Sequence, residues 1–130
     1  MNQLEILERA FAAMARGDAD AVVAHYTSDY VIEFPYPVSR GPFKVEGRET
    51  VRDYLAGAFQ VFRFELTLDV VHPSSDPSLV IAEYRGRGRA LQTGKPYDNR
   101  YMGFWWFRGD AVYRTREYYD QGVATEALTP

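Results

Sequence analysis

The sequence predicts an α+β fold in which helices cover one face of a mainly antiparallel sheet. Helical periodicity is confined to three segments near the amino-terminal end, and four long segments of strand character follow, joined by short turns. Short turns force neighbouring strands to pair in antiparallel fashion. Helices that precede such a meander pack together on one side of it.

The first two predicted helices follow each other closely. Apolar residues recur at helical spacing at Leu4, Leu7, Phe11 and Met14. They predict a helix over residues 2–16 that ends at Gly17, a residue common at helix C-termini. Asp18 is a favourable N-cap and predicts a second helix over residues 19–26.

A strand and a third helix come next. Residues 30–34 read as a short strand, and Pro35 and Pro37 predict an irregular loop over residues 35–42. The third helix is predicted over residues 48–59. Its apolar stripe consists of Val51, Tyr54, Leu55 and Ala58.

The remaining chain predicts a four-stranded meander. The strands are expected at residues 62–71, 79–91, 97–107 and 111–119. Gly109 and Asp110 give a tight hairpin signal between the last two. Residues 122–128 fit either a short terminal helix or a tail.

Composition excludes several classes of protein. The 130 residues fit one domain, residues 1–130, and the absence of cysteine excludes disulfides and thiol chemistry. The net charge of −3 argues against a nucleic-acid partner. No apolar stretch suits a membrane span, and the first residues do not resemble a signal peptide, so we expect a cytoplasmic protein without membrane association.

The order of elements and four segments carry a family resemblance. The segments are residues 21–34, Val45-Glu46-Gly47-Arg48-Glu49, Tyr97-Asp98-Asn99-Arg100-Tyr101 and residues 109–120. They resemble the nuclear transport factor 2-like superfamily, in its ketosteroid-isomerase-like and polyketide-cyclase-like (SnoaL-like) branch. The resemblance implies a cystatin-like cone, with three N-terminal helices packed on a curved, mainly antiparallel sheet around a small apolar or aromatic ligand.

Within that branch the chain looks most similar to the small dimeric A/B-type proteins of phenazine biosynthesis. Their proposed role is to bind a reactive cyclic amino-ketone and to assist its condensation by acid/base help. By this resemblance Glu117 matches their acid/base glutamate. It also implies a homodimer formed through the exposed face of the sheet.

Glu117 is the predicted catalytic residue. Strand alternation places Tyr113, Thr115 and Glu117 on one face. If that face meets the helices, burial among aromatic rings raises the pKa of the carboxyl group and suits it to general acid or base work. The alternative is that Glu117 pairs with an arginine such as Arg100 or Arg116 and only stabilises the sheet.

Two positions differ from those of the better-known relatives. Tyr54 falls where the phenazine-type proteins carry a histidine that orients substrate. Phe34 falls where steroid isomerases carry their catalytic aspartate, while Glu33 points to the other face. Steroid isomerase chemistry is therefore not expected, and Tyr54 and Phe34 are assigned as substrate-binding residues. The alternative for Tyr54 is a core aromatic.

Three more substrate-binding residues are predicted on the penultimate strand. Asn99, Tyr101 and Trp105 share one face, so they can supply an amide and a stacking wall. The alternative is an ordinary aromatic core. On the neighbouring strand Gly86 and Gly88 lack side chains, and we expect them to open space inside the cone.

Metal binding and anion binding are not expected. The two histidines, His25 and His72, lie far apart in different contexts, and no metal-ligand spacing is present. Arginines occupy alternate positions on two strands: Arg85, Arg87, Arg89, Arg114 and Arg116. Cross-strand ion pairs are the simplest interpretation, and these residues can also belong to a dimer interface.

Three functional hypotheses follow. The first is a cofactor-independent acid/base enzyme, an isomerase, cyclase or dehydratase acting on a small cyclic apolar carbonyl compound. The second is a non-catalytic ligand-binding module of the same fold, since fold alone does not fix function. The third is an assembly or transport adaptor, which would carry an exposed apolar patch outside the dimer face.

Overall fold

Helices and strands of the computed structural model come in the predicted order. The structure describes residues 1–38 and 41–130. The helices are α1 (Gln3–Arg16), α2 (Ala19–Val23), α3 (Arg48–Ala58) and α4 (Gln121–Leu128). The strands are β1 (Tyr26–Glu33), β2 (Lys44–Glu46), β3 (Phe62–His72), β4 (Leu79–Ala90), β5 (Pro96–Arg108) and β6 (Ala111–Tyr119).

The strands form a single curved sheet in the order β2-β1-β6-β5-β4-β3. Strand β1 runs parallel to β6, and the other neighbours are antiparallel. The three N-terminal helices and α4 pack on this sheet. The predicted α+β class and the mainly antiparallel sheet are therefore confirmed.

The caps of the first two helices explain where they begin and end. Gly17 adopts φ 69°, and the amide of the following Asp18 donates to the carbonyl of Ala13 at 3.0 Å. This is the hydrogen bond of a Schellman motif, which requires a left-handed residue and therefore favours glycine. The Asp18 side chain then accepts from the Ala21 amide at 3.0 Å and starts α2.

The prediction for residues 24–29 is wrong. Helix α2 ends at Val23, and the chain is already extended from Tyr26 as part of β1. Pairing with the carboxyl-terminal strand overrides the local helical pattern: Tyr26 lies opposite Val112, whose amide donates to the His25 carbonyl at 2.9 Å. The short strand β2, which pairs with β1, was not predicted.

A bulge corrects the predicted face of β6. The register shifts between Trp106 and Phe107, so Val112 lies in the core beside Thr115. Tyr113 instead lies under the Arg108 guanidinium, whose central carbon is 4.6 Å from the ring centroid. Alternation is regular again beyond the bulge, and Thr115 and Glu117 keep the predicted inward direction.

The amino-terminal helix packs along the edge strand β3, and its Phe11 side chain extends further across the concave face. Phe11 of α1 contacts Tyr84 of β4 and Trp105 of β5, with ring centroids 5.1 Å and 6.2 Å apart. The core therefore fills this side of the sheet with aromatic rings. At the other end of the concave face, α3, α4 and the sheet leave an open volume.

The outer face of the sheet carries ion pairs. Arg85 lies 3.0 Å from Asp69, and Arg114 and Arg116 both approach Glu33. The predicted cross-strand pairing is thus confirmed for three of the five arginines. Among the described residues, no helix has the length and apolar character needed to cross a membrane.

Candidate functional site

A cavity of about 160 Å³ lies between α3, α4 and the concave face of the sheet. Half of the residues that line it are aromatic, and most of the others are aliphatic. Among the described residues that line it, Glu117 is the only carboxylate. The cavity therefore combines an apolar wall with one ionisable acid, the combination expected of a small-molecule site.

Glu117 is held by a tyrosine. The Tyr84 hydroxyl donates a short hydrogen bond to Oε2 of Glu117 from two strands away. Between them on β5 lies Gly103, which pairs with Glu117 on one side and Ala82 on the other. A Cβ at Gly103 would come within 2.4 Å of the Trp105 ring, so the ring position requires glycine here.

The surroundings of Glu117 disfavour its charge. Burial raises the pKa of Glu117 to about 7, although the hydrogen bond from Tyr84 acts in the opposite direction. Among residues 1–38 and 41–130, no Lys, Arg or His nitrogen lies within 4.0 Å of this carboxylate. The alternative pairing with Arg116 is not observed, because Arg116 lies 3.7 Å from Glu33.

A pair of tyrosines forms the hydrogen-bonding part of the wall. The hydroxyls of Tyr97 and Tyr101 lie 2.8 Å apart, and Asn99 Nδ2 donates to the Tyr97 hydroxyl at 3.1 Å. Burial raises the pKa of Tyr97 to about 12 and that of Tyr101 further. Both stay protonated near neutral pH. Their mutual bond uses one hydroxyl proton, which leaves the other for a ligand oxygen.

Tyr54 and Phe34 pack against each other in the cavity wall. Their ring centroids lie 5.9 Å apart, and Phe34 also meets Tyr119 at 6.2 Å. Burial raises the pKa of Tyr54 to about 12, so its hydroxyl is a donor and not a base near neutral pH. The Tyr119 hydroxyl accepts from the Val38 amide at 3.2 Å.

Four of the six predicted site residues line the cavity: Phe34, Tyr54, Tyr101 and Glu117. Asn99 and Trp105 do not. The Asn99 side chain ties β5 to the start of α4, since it donates to the Asp120 carbonyl at 3.0 Å and accepts from the Asp120 amide at 3.1 Å. Trp105 belongs to the core against Phe11 and Tyr84.

Sequence reasoning missed two tyrosines of the site: Tyr97, which lines the cavity, and Tyr84. Alternation along β4 places Tyr84 inward, on the same face as Ala82 and Gly86. That signal identifies a core tyrosine at most. Its contact with Glu117 depends on the register of three strands, which no local pattern contains.

The expectation that Gly86 and Gly88 open space is wrong. A Cβ at Gly86 would lie 3.2 Å from Tyr101 and 3.3 Å from Leu66 and Phe64, so side chains already fill that volume. A Cβ at Gly88 would lie 1.9 Å from the Arg63 carbonyl oxygen. These glycines allow close approach of β3 instead.

In the part of the chain that the structure describes, no three His, Asp or Glu side chains cluster in a way that could hold a metal ion. The chemistry that this site can perform on its own is proton transfer at Glu117, together with hydrogen bonding from the tyrosine hydroxyls.

Comparisons with known proteins agree with this geometry. The chain is 30% identical to the uncharacterised protein YesE of Bacillus subtilis over 125 residues, covering 95% of this chain and 85% of that protein. It is 29% identical to a PhzA/B-like protein of Pseudomonas aeruginosa, covering 98% and 91%. A crystal structure of a Bacillus subtilis protein proposed to be an isomerase superposes with TM-score 0.91 and 28% identity, covering 98% and 96%.

The family assignment rests on a further match. A sequence model of the SnoaL-like domain matches residues 7–115, which include most of α1, the whole of β5 and the first half of β6. The matched region holds most of the cavity wall and ends two residues before Glu117. The resemblance inferred from the sequence is confirmed, and the chain belongs to the SnoaL-like domain family.

Proposed function

We propose that this protein is an acid/base enzyme of isomerase, cyclase or dehydratase type that acts on a small cyclic apolar carbonyl compound without a cofactor. The observation that carries the proposal is Glu117, a carboxylic acid in an aromatic cavity with its pKa raised to about 7. An acid with a pKa near the working pH is present in both protonation states, which suits proton transfer in either direction.

The geometry supplies a role for each side of the site. The Tyr84 hydroxyl donates to Oε2 of Glu117. Within the described residues no group donates a hydrogen bond to Oε1, which is therefore available to a ligand. Oε1 of the ionised carboxylate removes a proton from the carbon next to the carbonyl. The electron pair of that C–H bond forms a C=C bond with the carbonyl carbon, and the π pair of the carbonyl moves onto its oxygen. The free hydroxyl proton of the Tyr97 and Tyr101 pair stabilises the resulting enolate oxygen. Glu117 then returns the proton to the same or another atom of the ligand.

The relatives support this proposal at the level of reaction class. One similar structure is of a protein proposed to be an isomerase, and one relative is described as PhzA/B-like. Isomerisation, ring closure and dehydration next to a carbonyl all begin with the same proton removal. The substrate of this chain is not defined by these relatives.

Hydrogen exchange tests the acid/base role without knowledge of the substrate. In D₂O, the protein should accelerate exchange of the α-protons of a cyclic ketone, followed by proton NMR, with cyclohexanone and the two-ring ketone 1-tetralone as alternative probes. Because the ionised carboxylate is the base, the rate should rise with pH through about 7 and then level off. Glu117→Gln keeps the shape and should reduce the rate at least about a hundredfold.

A matched control is Glu83→Gln, which changes an exposed carboxylate on the outer face of the sheet. It should exchange protons at the wild-type rate. If the wild-type protein binds a ketone but exchanges its protons no faster than Glu117→Gln does, the protein is not an acid/base enzyme. The alternative function, non-catalytic ligand binding, would then remain. The hydrogen bond from Tyr84 to Glu117 is also compatible with that function.

We also infer that the protein forms a homodimer through the outer face of the sheet. Half-buried apolar side chains of β5 and β6 form an outer patch there, consisting of Met102, Phe104, Trp106 and Tyr118. The guanidinium of Arg114 lies 4.9 Å from the Trp106 ring. Exposed charges of both signs, including Arg100 and Glu83, surround the patch, so a second copy offers complementary charges.

Sedimentation velocity at micromolar concentration tests the dimer. The wild-type protein should sediment as a dimer. Met102→Glu places a negative charge in the outer patch, opposite Glu83, and should give monomers, because an unpaired charge at an interface costs about 2–5 kcal/mol. The matched control is Phe43→Glu, since Phe43 is an exposed aromatic residue outside the outer patch. Wild-type protein that is monomeric at these concentrations refutes the interface.

A further inference from the structure

We propose that the ligand of this site contains a single ring of about six members with small substituents, and that compounds with two or more fused rings are excluded. This inference deepens the proposed function and rests on the cavity assigned there. The cavity measures about 160 Å³. An enclosed apolar cavity of about 150 Å³ is filled by one benzene molecule, which gives the scale.

The aromatic rings on the sheet side of the cavity pack against one another and against Tyr84. The ring of Phe62 lies 4.3 Å from that of Tyr97, and the ring of Phe64 lies 5.7 Å from it. Tyr101 is stacked on Tyr84 at 5.0 Å with the two rings nearly parallel. Close-packed rings have little room to retreat, so a larger ligand has to displace several of them together.

The volume beside Gly86 is filled by side chains that also line the cavity. Tyr101, Leu66 and Phe64 approach within 3.2–3.3 Å of the Cβ position of Gly86. The missing side chain of this glycine therefore adds no space for a second ring.

Another part of the cavity wall is held together by Phe34. It packs against both Tyr54 and Tyr119, and Tyr119 accepts a hydrogen bond from the Val38 amide at 3.2 Å. Three elements therefore form this part of the wall: α3, β6 and the segment after β1. Widening the cavity here breaks ring contacts and leaves a polar group unpaired, which raises the cost of admitting a second ring.

Binding of phenol, 2-naphthol and 2-phenanthrol by isothermal titration calorimetry tests the size limit. These compounds share one hydroxyl and differ by one fused ring each. Burial of extra apolar area alone would make each larger compound bind more tightly. The structure predicts the opposite order: saturable 1:1 binding of phenol, and no detectable binding of 2-naphthol or 2-phenanthrol.

Two variants change the volume in opposite directions. Phe62→Ala removes a ring from the wall and should admit 2-naphthol. Ala58→Leu adds a side chain at a lining position on α3 and should abolish phenol binding. Circular dichroism checks that both are folded. If Phe62→Ala fails to fold, the wild-type series and Ala58→Leu still decide the question.

The outcomes separate the size limit from the acid/base role. Wild-type protein that binds 2-naphthol as tightly as phenol, or that binds no phenol, overturns the size limit. Glu117→Gln should keep the wild-type order of the three compounds, because volume and not charge sets it. Ketone exchange that survives with 1-tetralone but not with cyclohexanone would refute the size limit and leave the acid/base enzyme intact.

Discussion

At the scale of single residues, the site depends on one hydrogen bond. Tyr84 is the only donor to Glu117 among the described residues, and this bond opposes the rise in the pKa of Glu117 that burial causes. Tyr84 is fully buried and keeps its ring against Phe11 and Tyr101. Its hydroxyl can therefore be removed with little loss of packing.

The variant Tyr84→Phe should slow ketone exchange. Without the hydroxyl, the pKa of Glu117 rises further above 7, and less carboxylate is present at neutral pH. We expect the exchange rate at pH 7 to fall by about three- to tenfold and the midpoint of the pH–rate profile to move up. Tyr118→Phe, a tyrosine of the outer patch, is the matched control. An unmoved midpoint in Tyr84→Phe would show that the bond does not tune the acid.

At the scale of helices and strands, most of the fold was predictable because the signals are local. Periodicity and caps near Gly17 and Asp18 are encoded within a few residues, and strands β3 to β6 lie within one or two residues of their predicted bounds. The failures are non-local. Strand β1 begins at Tyr26 because β6 pairs with it, and that partner lies about 85 residues away along the chain.

The candidate site follows the same rule. Glu117 was predictable because alternation along one strand and the family resemblance both indicate it. Asn99 lies on the predicted face but has a different role. Its side chain makes two hydrogen bonds within β5, to Tyr97 and Arg100, and two to Asp120 at the start of α4. Tyr84 was missed because its contact crosses two strands. The face to which a strand residue points can be predicted from its neighbours along the chain, whereas the register between strands cannot.

At the scale of the whole molecule, an acid that ionises near neutral pH in the folded state affects stability. The pKa of Glu117 is about 7 in the folded protein, against a usual value of 4.5. Below the usual value both states are protonated, and its contribution is fully present. As pH rises towards 7, the unfolded chain ionises and the folded one does not. The free energy of unfolding therefore falls over this range.

Urea unfolding at pH 4.5 and pH 8 measures this effect. The shift of Glu117 corresponds to roughly 3 kcal/mol of stability lost between these values. Other carboxylates also titrate, such as Asp20 and Glu33, whose pKa values are lowered by arginines. Glu117→Gln retains those groups, so the comparison isolates one residue. The variant should be more stable than wild type at pH 8, with the advantage declining towards pH 4.5. Equal pH dependence in the two proteins would mean that Glu117 ionises at its ordinary pKa, and the cavity would then have no acid suited to proton transfer near neutral pH.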